Sequence, residues 1–226
     1  GQAVIFAGFF NGVAIFIFGF AVAAPMGKGL VNPAIVDIHV VFGALIGAIF
    51  WNTVTWYYGI PSSSSHALAG GIVGAAVTKA GASAVISSGI IKIVIFIFVS
   101  PLLGFVIGSM LMVVMAWIFR KTTPSKVDRV FRRLQLLSAA AFSLGHGGND
   151  AQKTIGIIWM LLIATGYSAA GDKSPPLWVA ISAYSAIGLG TMFGGWRIVK
   201  TMGQKITKLK PYGGFCAEDL DWATLL

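Results

Sequence analysis

Charged residues are scarce in this sequence: Asp, Glu, Lys and Arg together make up 10% of its 226 residues. A soluble domain carries about 25% charged residues, so the scarcity excludes an ordinary aqueous globular protein. The chain has one cysteine, Cys216, which excludes an internal disulfide framework. Acidic residues are also few, seven against sixteen basic ones, and the net charge is +9.

Apolar residues, by contrast, are abundant. They make up 57% of the chain, the mean hydropathy is +0.85, and a membrane span needs about 20 such residues. We therefore predict an all-α integral membrane protein with apolar segments at Ala3–Ala24, Ile35–Ile60, Ile90–Phe119, Leu134–Thr165 and Leu177–Trp196.

Basic residues cluster next to apolar runs, over 120–133 and 197–210. Cytoplasmic loops have this composition, so we expect both stretches in the cytoplasm and no nucleic-acid partner. We expect the first stretch, Arg120–Arg133, to be a basic loop. No charged segment precedes the first apolar run, so no signal peptide is expected.

Two segments do not fit a simple span. The eleven residues of Ala67–Val77 rise only about 17 Å as a helix, which predicts a half-helix or a re-entrant segment. Ile90–Phe119 exceeds one straight span, and we expect Pro101 to kink or divide it.

A polar cluster interrupts the apolar segment Leu134–Thr165. His146, Asn149, Asp150, Gln152 and Lys153 fall within eight positions. An ionised Asp or Lys at mid-membrane depth costs about 2.5–3.5 kcal/mol, so water or a bound ion must solvate the cluster. Glycine permits non-helical backbone, and we expect the glycines beside the cluster to break the helix near Asn149–Asp150, as in the ion site of a transporter. These glycines are Gly145, Gly147 and Gly148.

A second polar motif is Pro61-Ser62-Ser63-Ser64-Ser65-His66. Proline suits the first turn of a helix and serine its N-cap, and a helix N-terminus with several hydroxyls favours an anion. Consecutive helical side chains point about 100° apart, so some of the four serines must belong to the preceding loop.

The first cluster favours the opposite charge, because the Asp150 carboxylate and the Asn149 and Gln152 amide oxygens suit a hard cation. The two motifs together predict cation-coupled anion transport. Local interpretations remain open: serines in apolar helices bond their own carbonyls, and Asp150 can be a structural partner of Lys153. His66 and His146 are interpreted as structural histidines rather than proton carriers.

The segments Trp51-Asn52, Thr55–His66 and His146–Lys153 resemble the bacterial inorganic phosphate transporter (PiT) family. The resemblance implies an inverted-repeat secondary transporter with broken or re-entrant helices, which moves phosphate with sodium ions or protons across the bacterial plasma membrane. It implies no enzyme activity and no cofactor. A homodimer is a further expectation.

The resemblance also implies roles for single residues. The coupling cation is expected at Asn149, Asp150 and Ser63, with sodium at Asn149 and Asp150. Phosphate is expected at Ser62, Ser63, Ser64, Ser65, Asp150, Gln152 and Lys153.

Each repeat of the family carries one Asn-Asp motif and one serine-rich motif, whereas this chain has one of each. We therefore expect the middle of a longer transporter: 1–119 from the first repeat, 120–133 a basic cytoplasmic linker, and 134–226 from the second repeat.

Three alternatives remain. A sulfate permease of the same fold fits the motifs, since both anions are tetrahedral. A truncated, non-transporting membrane protein fits the single copies. An intramembrane Ser/His hydrolase fits the residue types, but no Gly-x-Ser-Gly arrangement supplies an oxyanion hole.

Overall fold

A computed structural model describes residues 2–18, 29–168, 174–206 and 213–216, and these residues are almost entirely helical. Of the described helices, α3, α5 and α7 are long and apolar enough to cross a membrane. Short 3-10 turns precede α3 and α5, and a π-helical turn follows α8. The helices in chain order are α1 (Gln2–Val13), α2 (Ile15–Phe18), α3 (Ile38–Tyr58), α4 (Ser64–Ala80), α5 (Ser87–Phe119), α6 (Pro124–Ala164), α7 (Leu177–Gly194) and α8 (Trp196–Lys200).

Helices α3 and α4 form a hairpin whose tip is the serine motif. The Asp37 carboxylate accepts from the Val40 amide and caps the start of α3. Gly59, with φ 67°, ends α3 in the left-handed conformation that glycine adopts without strain. The Ser63 hydroxyl then accepts from the His66 amide and caps the start of α4.

Helix α4 has 17 residues and rises about 26 Å, against a hydrocarbon core of about 30 Å. It is longer than the expected Ala67–Val77, and the re-entrant interpretation stays a prediction. At the open end of the hairpin, the Lys79 ammonium lies 2.7 Å from the Asp37 carboxylate and donates to the Ile35 carbonyl at 2.9 Å.

Helix α6 is shared by two hydrophobic cores. Ile157 packs with α3 and α4, beside Ala44, Ile72 and Ala76. On its other side, α6 packs against the first helical segment, Gln2–Phe18, and against α7. The buried residues of this second core are Ala14, Ala151, Ile155, Val179, Ala180, Ala183 and Tyr184. Helix α6 therefore contributes buried side chains to both cores.

The predicted helix break near Asn149 is wrong: α6 runs without interruption from Pro124 to Ala164. The glycines serve close packing instead. A methyl group at Gly147 would lie 2.6 Å from the Asn11 backbone, and one at Gly148 would lie 2.6 Å from the Phe18 ring. Glycine permits a break without requiring one, and here the absence of Cβ lets the first helical segment approach α6.

Two further expectations are wrong in part. The basic segment 120–133 is a loop only as far as Thr123, because α6 begins at Pro124, whose fixed φ suits the first helical position. Pro101 lies inside a continuous α5 and does not divide it. Of the expected span Ala3–Ala24, residues 19–24 lie outside the described residues.

Candidate functional site

The N-terminus of α4 meets the middle of α6. The Ser64 hydroxyl donates to Asp150 Oδ2 at 3.5 Å, and the Lys153 ammonium donates to Ser65 Oγ at 2.8 Å. These partners are 86 and 88 positions apart in the chain. The fold therefore brings the two polar motifs of the sequence into direct contact.

The acidic and basic members of this site share one face of α6. Lys153 Nζ lies 3.1 Å from Asp150 Oδ1, at i,i+3. His146 Nε2 lies 3.5 Å from Asp150 Oδ2, at i,i+4, and its ring stacks on Phe142. Side chains three and four positions apart on a helix are neighbours, so these groups are placed by the helix itself.

The contact lies at the start of one helix and in the middle of the other. Ser64 is the first residue of α4, whereas Asp150 lies about 21 Å from the C-terminal end of α6 at 1.5 Å per residue. Ile72 and Ala76 of α4 belong to the same hydrophobic core as Ile157 of α6.

The four serines divide into two pairs, as the 100° helical spacing requires. Ser62 and Ser63 precede α4: Ser62 donates to the Thr55 hydroxyl at 3.2 Å, and Ser63 caps the helix. Both open, with His66, into a groove of about 1120 Å³ along α3 and α4. Ser64 and Ser65 face α6 instead, and only this pair contacts Asp150 and Lys153.

The amide side chains of Asn149 and Gln152 take no part in the contact between α4 and Asp150–Lys153. Asn149 is exposed, one helical step from Asp150. Gln152 is half-buried, and its side chain lies near the Tyr184 hydroxyl of α7. Gln152 therefore faces α7, about 200° around the helix from Asp150.

The sequence did not predict the contacts of two polar residues near the site. His146, interpreted there as structural, contacts Asp150 and has a side chain 53% exposed. Asn11 was not singled out, yet it is 3% exposed, lies against Gly147 and donates to Thr191 Oγ1 at 3.0 Å. The available signal was an amide within the apolar run 3–18.

The chemistry of the contact is mixed. Ser64, Ser65 and Lys153 supply donors, and the first turn of α4 adds free N–H groups and the positive end of a helix dipole. Asp150 supplies a carboxylate whose two oxygens face Lys153 on one side and Ser64 and His146 on the other. The donors suit an oxyanion, and the carboxylate suits a cation.

Helices long and apolar enough to cross a membrane, with paired polar groups where the α3–α4 hairpin meets α6, define an integral membrane protein. The solved structure of a sodium-dependent phosphate transporter matches this fold with a TM-score of 0.84 at 22% identity, over 99% of this chain and 75% of that one. At this identity, the likeness shows the fold.

The sequence comparisons identify the family. The model of the phosphate transporter family matches residues 1–226. A "probable low-affinity inorganic phosphate transporter" from Rhizobium meliloti is 54% identical, over 96% of this chain and 64% of the relative. A protein of the same description from Bacillus subtilis is 43% identical, over 100% of this chain and 67% of the relative. The chain belongs to the phosphate transporter family.

The chain spans only part of these relatives. It covers 64% of the length of the Rhizobium meliloti protein and 54% of a similarly described protein from Mycobacterium leprae, which is 43% identical. The site at α4 and α6 is therefore described within a portion of such a transporter.

Proposed function

We propose that this chain forms part of a bacterial plasma-membrane transporter that carries inorganic phosphate together with a cation. The observation that carries the proposal is the contact between the serine end of α4 and Asp150–Lys153 of α6. Membership of the phosphate transporter family, and similarity to proteins described as probable inorganic phosphate transporters, support phosphate as the substrate.

Ser64, Ser65 and Lys153 are the proposed phosphate ligands, because their donors converge at one helix N-terminus. Phosphate near neutral pH carries a charge of about −1.5 to −2 if it behaves as phosphoryl groups do. A lysine ammonium and helix N–H groups stabilise such a charge. Ser62 and Ser63 belong to the proposed site only if the hairpin tip rearranges when phosphate binds.

Cation coupling follows from the electrical cost of phosphate entry. Moving one negative charge inward against 100 mV costs about 2.3 kcal/mol, so an uncompensated phosphate costs several kcal/mol. Asp150, with the neighbouring Asn149 amide, is the proposed cation ligand. The matched solved structure is that of a sodium-dependent phosphate transporter, so sodium is the first cation to test.

The carboxylate also bears on the choice of anion. Phosphate near neutral pH retains a proton that it can donate to an acceptor, whereas sulfate has none. A carboxylate in the anion site therefore favours phosphate, and the contact of Asp150 with the serine end of α4 supports Asp150 as that acceptor.

The test is uptake of labelled phosphate by proteoliposomes that contain the full-length transporter. Asp150→Asn keeps the shape of the side chain and removes its charge, and we expect uptake to fall to background with normal membrane insertion. Asp37→Asn makes the same substitution at the far end of the hairpin and should transport normally. Wild-type uptake by Asp150→Asn contradicts the proposal, and equal inhibition by unlabelled sulfate and phosphate favours the sulfate alternative.

A further inference from the structure

Lys153 connects the two polar motifs. Its ammonium lies 2.8 Å from Ser65 Oγ and 3.1 Å from Asp150 Oδ1, and its side chain is 33% exposed. Within the described parts of the chain, no other lysine or arginine forms an ion pair with Asp150. Asp150, the proposed cation ligand, therefore already has a covalently tethered cation beside it.

Lys153 has enough N–H donors to keep its contacts with Ser65 and Asp150 and to bind an anion as well. An ammonium has three N–H donors; Ser65 and Asp150 engage two of them. Among the described residues, none accepts from the third, which is available to an oxyanion. Lysine also carries its charge as a compact point on a flexible stem, so small movements can follow the substrate.

We infer that Lys153 takes the place of one coupling cation at Asp150. The inference rests on the proposed function. With Lys153 present, the carboxylate and ammonium sum to zero charge, and added cations need only balance the phosphate. With a neutral residue at 153, the site carries one more negative charge, and one additional monovalent cation must enter with each phosphate.

The experiment uses the full-length transporter in proteoliposomes, with labelled phosphate as substrate and sodium concentration varied at fixed pH. For Lys153→Gln, we expect the Hill coefficient for sodium to rise by about one, and the net charge moved per phosphate, measured from the reversal potential, to rise by one. Lys153→Arg should keep both wild-type values. Lys126→Gln, the same substitution in the first turns of α6, is the matched control and should also keep them.

Unchanged sodium dependence and unchanged charge per phosphate in Lys153→Gln overturn the inference. If that variant does not transport, labelled phosphate binding to the purified variant decides: a sodium dependence one ion steeper than wild type supports the inference. An equal dependence, or no binding at any sodium concentration, overturns it. A wild-type protein that neither binds nor transports phosphate would instead refute the proposed function.

Discussion

The hairpin that carries the serine motif depends on one close approach between its helices, and a single methyl group tests it. An added Cβ at Gly71 would overlap the Ala44 carbonyl oxygen and lie 3.2 Å from the carbonyl carbon and Cα of Ala44. All three atoms belong to the backbone of α3, so no side-chain rotation relieves the contact. Gly71→Ala must push α3 and α4 apart.

The expected magnitude follows from two opposing effects. Alanine is favoured over glycine in a helix by about 1 kcal/mol, and overpacking typically costs about 1–3 kcal/mol. Gly70 and Gly74 lie on the same helix, and an added Cβ at either meets nothing within 4 Å. Gly70→Ala and Gly74→Ala therefore show the propensity gain alone, and Gly71→Ala should be less stable than both by about 1–3 kcal/mol.

Thermal unfolding of the purified full-length protein measures this difference. The Tm of Gly71→Ala should lie below those of Gly70→Ala and Gly74→Ala. Gly71→Ala should also weaken phosphate uptake, because Ser65 lies only about 9 Å further along α4 and moves with the helix. A Tm for Gly71→Ala equal to that of Gly70→Ala would refute the packing argument.

Two further predictions concern the other contacts of the bundle. The hydrogen bond from Lys79 and that from the Val40 amide lower the pKa of Asp37 from 3.8 to about 2. A carboxylate whose pKa is lower in the folded protein stabilises the fold at a pH above its unfolded-state pKa, and this stabilisation is lost as the pH falls through the folded-state pKa. The Tm of the wild type should therefore fall more than that of Asp37→Asn between pH 3.8 and about pH 2, and parallel curves of Tm against pH would contradict this. At the α1–α6 contact, Gly147→Ala places a methyl group 2.6 Å from the Asn11 backbone and should destabilise by about 1–3 kcal/mol, whereas Gly190→Ala, with open space around its Cβ, should not; a higher Tm for Gly147→Ala would exclude the close approach.

The cap of α4 was predictable because its signal is local. Serine favours the N-cap for reasons that involve only the adjacent backbone, and Ser63 caps the helix as this rule implies. Pro61, expected in the first turn, lies in the preceding loop, because the first helical residue is Ser64. Helical spacing predicted that the four serines could not all face one partner, but not which of them would face α6. The contact of Ser65 with Lys153 is not local, since it depends on how two segments 88 positions apart pack.

The wrong prediction of a break in α6 has a physical explanation. Glycine has two uses, conformational freedom and close approach, and both leave the same letters in the sequence. At Gly147 the partner that decides between them is Asn11, on another helix. The expected break also obscured Gln152: on a continuous helix, its position about 200° around from Asp150 already separates it from that carboxylate.

The hydroxyl end of α4 and the charged pair of α6 are proposed to hold phosphate and its cation in one place. The decisive measurement is a density map of the full-length transporter with sodium and phosphate bound. We predict phosphate within hydrogen-bonding distance of Ser64, Ser65 and Lys153, with a cation against Asp150. Phosphate bound elsewhere, while Ser65 and Lys153 keep their mutual hydrogen bond, would refute the proposed site.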